Sequence, residues 1–265
     1  MNKLPILNYH GIETSEDQYS WLESEKVYVL LREVFERQLT RLSGEGFKTL
    51  SLGELEEWLE GKNLCEKPVM LTFDDGHISH LKHVVPVLKE KNFKAIFFIP
   101  VSLIGQAQHM NWSQLKELIQ EGFEVGSHGF RHIPLSNLTH HELWKELQKS
   151  KATLEDRLGV PVKSFSVPRG FYQLRIREFA MELGYRFVFT SRFDLNLRGQ
   201  DPWRLNRIAA KKTLSFNDFS KFIYGQLGHK RVVERFKEGA RRFLKPSIYD
   251  TFADWKRLVM QKSEG

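Results

Sequence analysis

Short runs made up almost wholly of apolar residues recur along the chain, and most are followed by a stretch in which apolar residues fall three or four apart. The runs are residues 5–9 (PILNY), 69–73 (VMLTF), 95–99 (AIFFI), 123–127 (FEVGS), 164–167 (SFSV), 186–190 (RFVFT) and 204–210 (RLNRIAA). AIFFI is apolar throughout and PILNY and VMLTF each carry one polar residue, which suits strands covered on both faces. The stretches between them read as helices with their own punctuation. Residues 34–46 end in glycine, 111–122 have Asn111 as a cap and end at Gly122, and 138–159 start near Thr139 and stop at Gly159. Strand and helix in alternation point to a parallel β/α fold. The expectation is an α/β protein built as a distorted, seven-stranded (β/α) barrel, with an open doubly wound sheet as the alternative. In either, functional residues belong at the C-terminal ends of strands or in the loops that follow.

A chain of 265 residues with 41% hydrophobic and 28% charged residues has the balance of an ordinary folded protein, and one large domain is the simplest starting point. No segment approaches the roughly 20 apolar residues needed to span a bilayer, and the apolar part of the opening MNKLPILNYHGI is too short for a secretory leader. A cytoplasmic location is therefore expected. Cys65 is the single cysteine, so it has no intramolecular disulfide partner and reads as structural. From Lys211 onward there are 13 Lys and Arg against 6 Asp and Glu, which accounts for the whole net charge of +7. The body is neutral and the tail is basic.

The run at 69–73 leads directly into Asp74, Asp75 and Gly76. Inside a regular strand adjacent side chains face opposite ways, but at a frayed end that turns at glycine two carboxylates can reach one site. A solvated turn is the alternative for this tripeptide taken alone. The run at 123–127 leads into SHGFRH, whose His128 and His132 stand four apart, a spacing that suits a shared metal. Such pairs also decorate surface helices; this one gains weight from sharing a strand-end rim with the aspartates. Two neutral imidazoles and one carboxylate make a three-ligand site for a divalent metal, with positions left for water and substrate. One aspartate would hold the metal and its neighbour would take the proton of the metal-bound water.

TFDDG (72–76) with SHGFRH (127–132) resembles the first two motifs of the NodB-like polysaccharide deacetylases, carbohydrate esterase family 4. These are metal-dependent hydrolases that remove N-acetyl or O-acetyl groups from glycans, and the resemblance runs from Pro5 to Ala210. It implies Asp74 as general base and Asp75, His128 and His132 as metal ligands. Zinc is the default metal, with cobalt, nickel or iron as alternatives for such a donor set. PILNYHGI (5–12) and residues 34–55 resemble the opening of a subgroup that includes poly-N-acetylglucosamine deacetylases. That implies His10 as a general acid beside the metal, against the alternative of a histidine capping a strand end.

Two departures stand out. Gly129 occupies a place where the family usually has Ser or Thr, and Ser166 occupies the place of an arginine that orients the base. An arginine follows the proline instead, as Arg169; with Tyr172 it is a candidate for contacting sugar hydroxyls or a phosphate, or else a surface ion pair. In DPWRLNRI (201–208), Asp201, Trp203 and Arg207 are candidate pocket or support residues, Trp203 being placed with the substrate contacts. His80 and His83 read as surface positions of the next helix, and LGH (227–229) as a chance match to the family's late histidine motif.

The expected division is a catalytic domain over 1–225 and a basic amphipathic helical tail over 226–265. Apolar residues at helical spacing in the tail, among them Val232, Val233, Phe236 and Phe243, favour docking on the barrel; the alternative is peripheral contact with an anionic membrane, from its inner face. A neutral body without a nucleic-acid-binding motif argues against nucleic acid as partner. The expected activity is metal-dependent deacetylation of a glycan or glycolipid. Its rivals are a deformylase or other amide hydrolase on a lipid-linked amino sugar, and a catalytically silent carbohydrate-binding homologue. Retention of base, ligands and acid speaks against the last.

Overall fold

The computed structural model describes residues 2–233. Seven parallel strands form the frame: β1 (Ile6–Tyr9), β2 (Pro68–Phe73), β3 (Ile96–Ile99), β4 (Glu124–Ser127), β5 (Ser164–Ser166), β6 (Phe187–Phe189) and β7 (Ile208–Ala209). Their spatial order is β6-β5-β4-β3-β2-β1-β7, so consecutive strands from β1 to β6 are neighbours and β7 lies beyond β1. The sheet curls, and the segment leading into β7 meets its far edge. Leu205 N–H donates to Val188 at 2.9 Å and Leu205 C=O accepts from Thr190 at 2.8 Å, while Ala210 N–H donates to Asn8 at 2.8 Å. The same short segment thus bonds β6 on one side and β1 on the other. Residues 204–210, which read as one strand in the sequence, are a 3-10 turn (Pro202–Arg204), an irregular link and then β7, because a single straight strand could not serve both edges.

Among the described residues before Gly228, seven α-helices accompany the strands: α1 (Arg32–Gly44), α2 (Leu52–Leu59), α3 (Val85–Glu90), α4 (Trp112–Gln120), α5 (His140–Leu158), α6 (Leu174–Glu182) and α7 (Phe216–Ile223). The caps read from the sequence are formed. Asn111 accepts the N–H of Gln114, Thr139 accepts that of Glu142, and Gly159 ends α5 in the left-handed conformation at φ 71.

The pleat of the strands sorts their side chains into two cores. Leu7, Tyr9, Leu71, Phe73, Phe97, Phe165 and Val188 face outward into the layer beneath the helices. Ile6, Met70, Ile96, Phe98, Phe187 and Phe189 form a second cluster with Leu52, Leu55 and Trp58 of α2, which closes the N-terminal end of the barrel. Gly126 shows how full the interior is: a Cβ there would lie 2.5 Å from the Phe98 ring. Further along β1, β2, β4 and β5 the same inward alternation reaches polar side chains. Asn8, Thr72, Asp74, His128 and Ser166 are all buried. The barrel is apolar at its base and polar at its C-terminal mouth.

A second unit begins at Gly228, and its described residues, 228–233, are helical. The remainder of the amphipathic tail lies outside the described residues. Among the described residues no helix is long and apolar enough to cross a membrane.

Candidate metal centre and active site

At the end of β2 the backbone of Asp74 is still paired, its N–H donating to Tyr9 C=O at 3.0 Å, so its side chain keeps the inward alternation of Thr72. Asp75 and Gly76 are then both left-handed, at φ 74 and φ 64. For a residue with a Cβ that conformation costs about 1–2 kcal/mol. The reversal of alternation brings two consecutive carboxylates to one mouth.

His128 ends β4. Its Nδ1 lies 2.9 Å from Ser166 C=O, an oxygen that can only accept, so Nδ1 carries the proton and Nε2 is left with its lone pair. That Nε2 is 3.3 Å from Asp75 Oδ1, and His132 Nε2 is 3.1 Å from the same oxygen. Left-handed angles at Gly129 (φ 80) and His132 (φ 57) turn the loop so that the two imidazoles meet, with ring centroids 5.0 Å apart. The angle at 129 suits glycine and accounts for its presence where Ser or Thr was expected. One donor atom from each of Asp75, His128 and His132 lies within 4.8 Å of the others. Asp75 Oδ1 is buried and makes no hydrogen bond of good geometry, although two ring nitrogens face it. A carboxylate oxygen and two imidazole nitrogens converging on one point fit a divalent cation. The His128 and Asp74 side chains are each 3% exposed and those of Asp75 and His132 each 23%, so the donor set opens toward the mouth.

Burial works against charge throughout this cluster, and the partners outweigh it. Asp75 is held well below the usual carboxylate range by His132 and His128, and His132 is raised by Asp75. Asp74 stands next to the donor set, 3.9 Å from His128 Nε2, without belonging to it. Burial would raise its pKa, but the Arg207 guanidinium and His128 hold it at about 2.

Residues 61–188 match the family model described as polysaccharide deacetylase. The chain resembles the polysaccharide deacetylase family, over that segment in sequence and more widely in fold. Along 222 residues it is 29% identical to YxkH of Bacillus subtilis, provisionally named a polysaccharide deacetylase, covering 83% of this chain and 76% of that one. Over 118 residues it is 30% identical to the peptidoglycan-N-acetylglucosamine deacetylase PgdA of Listeria monocytogenes, covering 44% of this chain but 24% of that longer protein. Among solved structures, the Streptococcus pyogenes deacetylase PplD in complex with acetate aligns with a TM-score of 0.74 at 25% identity, over 84% of this chain and 98% of that one. IcaB from Ammonifex degensii aligns at 0.73 and 25% identity, over 86% and 98%.

Where the deacetylase pattern has an arginine and this chain has Ser166, a guanidinium is supplied from elsewhere in the chain. Arg207 is 1% exposed and bonds both oxygens of Asp74; its Nη2 also donates to Ser166 Oγ and its Nε to Thr190 C=O, at 2.8 and 2.9 Å. Asn8 Nδ2 adds a bond to Asp74 at 3.2 Å. The sequence marked Arg207 as a pocket or support residue without naming its partner; the short serine at 166 leaves room for a guanidinium arriving from across the barrel.

His10 follows β1 and is half-buried. Its ring lies 4.7 Å from that of Tyr28, and its Nδ1 is buried without a hydrogen bond. Its pKa is lowered, burial outweighing the opposing charges of Asp75 and Asp74. Its carbonyl accepts from His80 Nε2 at 2.6 Å. His80 and His83 are therefore not surface residues. Both lie on a π-helical turn, His80–Val84, and are buried, His80 against Phe73 and Phe97 and His83 against Asp17 at 2.7 Å. A helix register would have exposed them; the wider turn faces them into the core. His77 is buried as well, under the Trp21 ring at 4.1 Å.

The predicted substrate contacts separate. Arg169, itself left-handed at φ 55, is close enough for its charge to lower the pKa of His132. Tyr172 is half-buried with Arg204 5.6 Å from its ring centre, and its hydroxyl is buried without a bond. Trp203, expected among the substrate contacts, is half-buried and bonds the scaffold. Its indole N–H donates to Tyr185 C=O at 3.1 Å, ahead of the start of β6, and its ring packs under Arg177 at 5.2 Å. His229 sits exposed in the second unit.

Proposed function

We propose that this chain is a metal-dependent deacetylase that hydrolyses N-acetyl groups, or O-acetyl groups, on a glycan or glycolipid. The observation that carries the reading is one carboxylate and two imidazoles converging within 4.8 Å, with a second, ionised carboxylate beside them. Asp75, His128 and His132 would hold the cation, zinc by default. When bound there it supplies Lewis acidity, polarising the acyl carbonyl and bringing water, whose free pKa is about 15.7, within reach of a carboxylate.

Asp74 acts as the general base. It is ionised across the working pH range, and Arg207 fixes the plane of its carboxylate with Oδ2 3.9 Å from His128 Nε2. A carboxylate with a pKa of about 2 is a weak base, so its contribution is position more than strength. Water adds its oxygen to the acyl carbon and gives a proton to Asp74. The carbon–nitrogen bond then breaks, and the leaving nitrogen takes a proton from His10, yielding acetate and a free amino sugar. Arg169 at the rim contacts sugar hydroxyls or a phosphate.

The test is acetate release from N-acetylglucosamine oligomers by full-length protein loaded with zinc, run beside the chelated protein and Asp74→Asn. Release that needs both metal and Asp74 supports the reading, and formate from a formylated amino sugar would redirect it to a related amide hydrolase. Fully loaded protein that releases neither would sink it.

A further inference from the structure

The buried face of α5 carries Leu143, Leu147, Leu154 and Leu158, and among them two polar residues, Glu146 and Ser150. Both reach the loop that bears His128 and His132. Ser150 Oγ lies 2.5 Å from Ser127 Oγ, which in turn accepts the N–H of Gly129 at 3.2 Å. Glu146 is 4% exposed and gives both carboxylate oxygens to one residue: Oε1 accepts the backbone N–H of Arg131 at 2.5 Å, and Oε2 accepts its guanidinium Nε–H at 2.9 Å.

Packing gives no reason for a carboxylate at this position, since the neighbouring leucines are fully buried and a charge among them is unfavourable unless bonded. The loop gives a reason. Gly129 and Phe130 are tethered through their carbonyls, which accept from Val101 at 3.2 Å and Ser102 at 2.8 Å. His132 has φ 57, a conformation its Cβ disfavours. Arg131 is the single link between the tethered part and that strained histidine.

We propose that Glu146 is the positioning residue of the metal centre: by clamping Arg131 it holds His132 in the left-handed turn that points Nε2 at Asp75. The inference rests on the ligand reading above. It predicts that removing the clamp loosens metal binding while leaving the barrel intact, because outer partners that orient a ligand carry part of a site's affinity.

Zinc affinity of the full chain, measured by competition with a chromophoric chelator, tests it in wild type, Glu146→Leu and Glu146→Gln. Leucine matches the rest of the α5 face, so the metal-free protein should melt at or above the wild-type temperature while zinc binding weakens by about tenfold or more. Glutamine keeps an acceptor for the Arg131 N–H and should fall between; it carries the test alone if the leucine variant does not fold. Variants that bind zinc within about twofold of wild type overturn the inference and leave the ligand assignment standing. A wild type that binds no zinc removes the ligand assignment, and this inference with it.

Discussion

Arg207 sets its two terminal nitrogens against the carboxylate of Asp74, Nη1 on Oδ1 and Nη2 on Oδ2, each at 2.8 Å. The two residues stand 133 positions apart in the chain and meet because the segment leading into β7 closes the barrel between β6 and β1. The paired fork fixes both the charge and the plane of the carboxylate.

Breaking that pair from one side leaves a buried charge without a partner. Arg207→Met should lower the unfolding free energy by about 3–5 kcal/mol in urea titrations of metal-free protein, and Arg207→Lys by less, since it restores charge without the fork. A loss below about 1 kcal/mol for the methionine variant would mean that Asn8 and Ser166 suffice to hold Asp74.

The pH dependence of stability follows from the same pair. The folded pKa of Asp74, about 2, lies below its ordinary 3.8, so ionised Asp74 contributes stability that is fully present above the unfolded value and is lost as pH falls through the folded one. That contribution is on the order of 2 kcal/mol. Metal-free Asp74→Asn should therefore show a shallower decline in stability than wild type between pH 4 and pH 2. Parallel acid limbs would show that Asp74 is not ionised in the fold.

Ligand loss should be read directly in metal content. Wild type should carry about one metal per chain after brief exposure to a weak chelator, and His128→Ala should carry almost none, by mass spectrometry of purified protein. An equal metal load in both would remove His128 from the donor set.

His10 separates chemistry from binding. His10→Ala should keep its metal and its melting temperature while turnover falls by about a hundredfold or more, the contribution expected of a positioned proton donor. Loss of metal in this variant would make His10 a ligand, and unchanged turnover would return it to a strand-end role.

Much of the site was legible because its parts are local in the chain. TFDDG and SHGFRH each directly follow an apolar run, and the structure places both at strand ends as that order requires. His80 and His83 were misread because a helical register exposes them, and the sequence carries no mark of the π-helical turn that buries them. The partner of Trp203 was not legible, because an aromatic beside candidate rim residues looks the same whether its N–H faces a ligand or, as here, the Tyr185 carbonyl.

The sequence by itself determined the strands, the helix caps and the four residues of the two motifs, since apolar periodicity, capping and turn chemistry depend on near neighbours. The tertiary structure alone decided that Arg207 orients Asp74, that His80 supports His10 and that Glu146 holds Arg131. Those pairings join separate segments of the barrel and its helices, and a contact between distant segments exists only once the sheet has curled and closed.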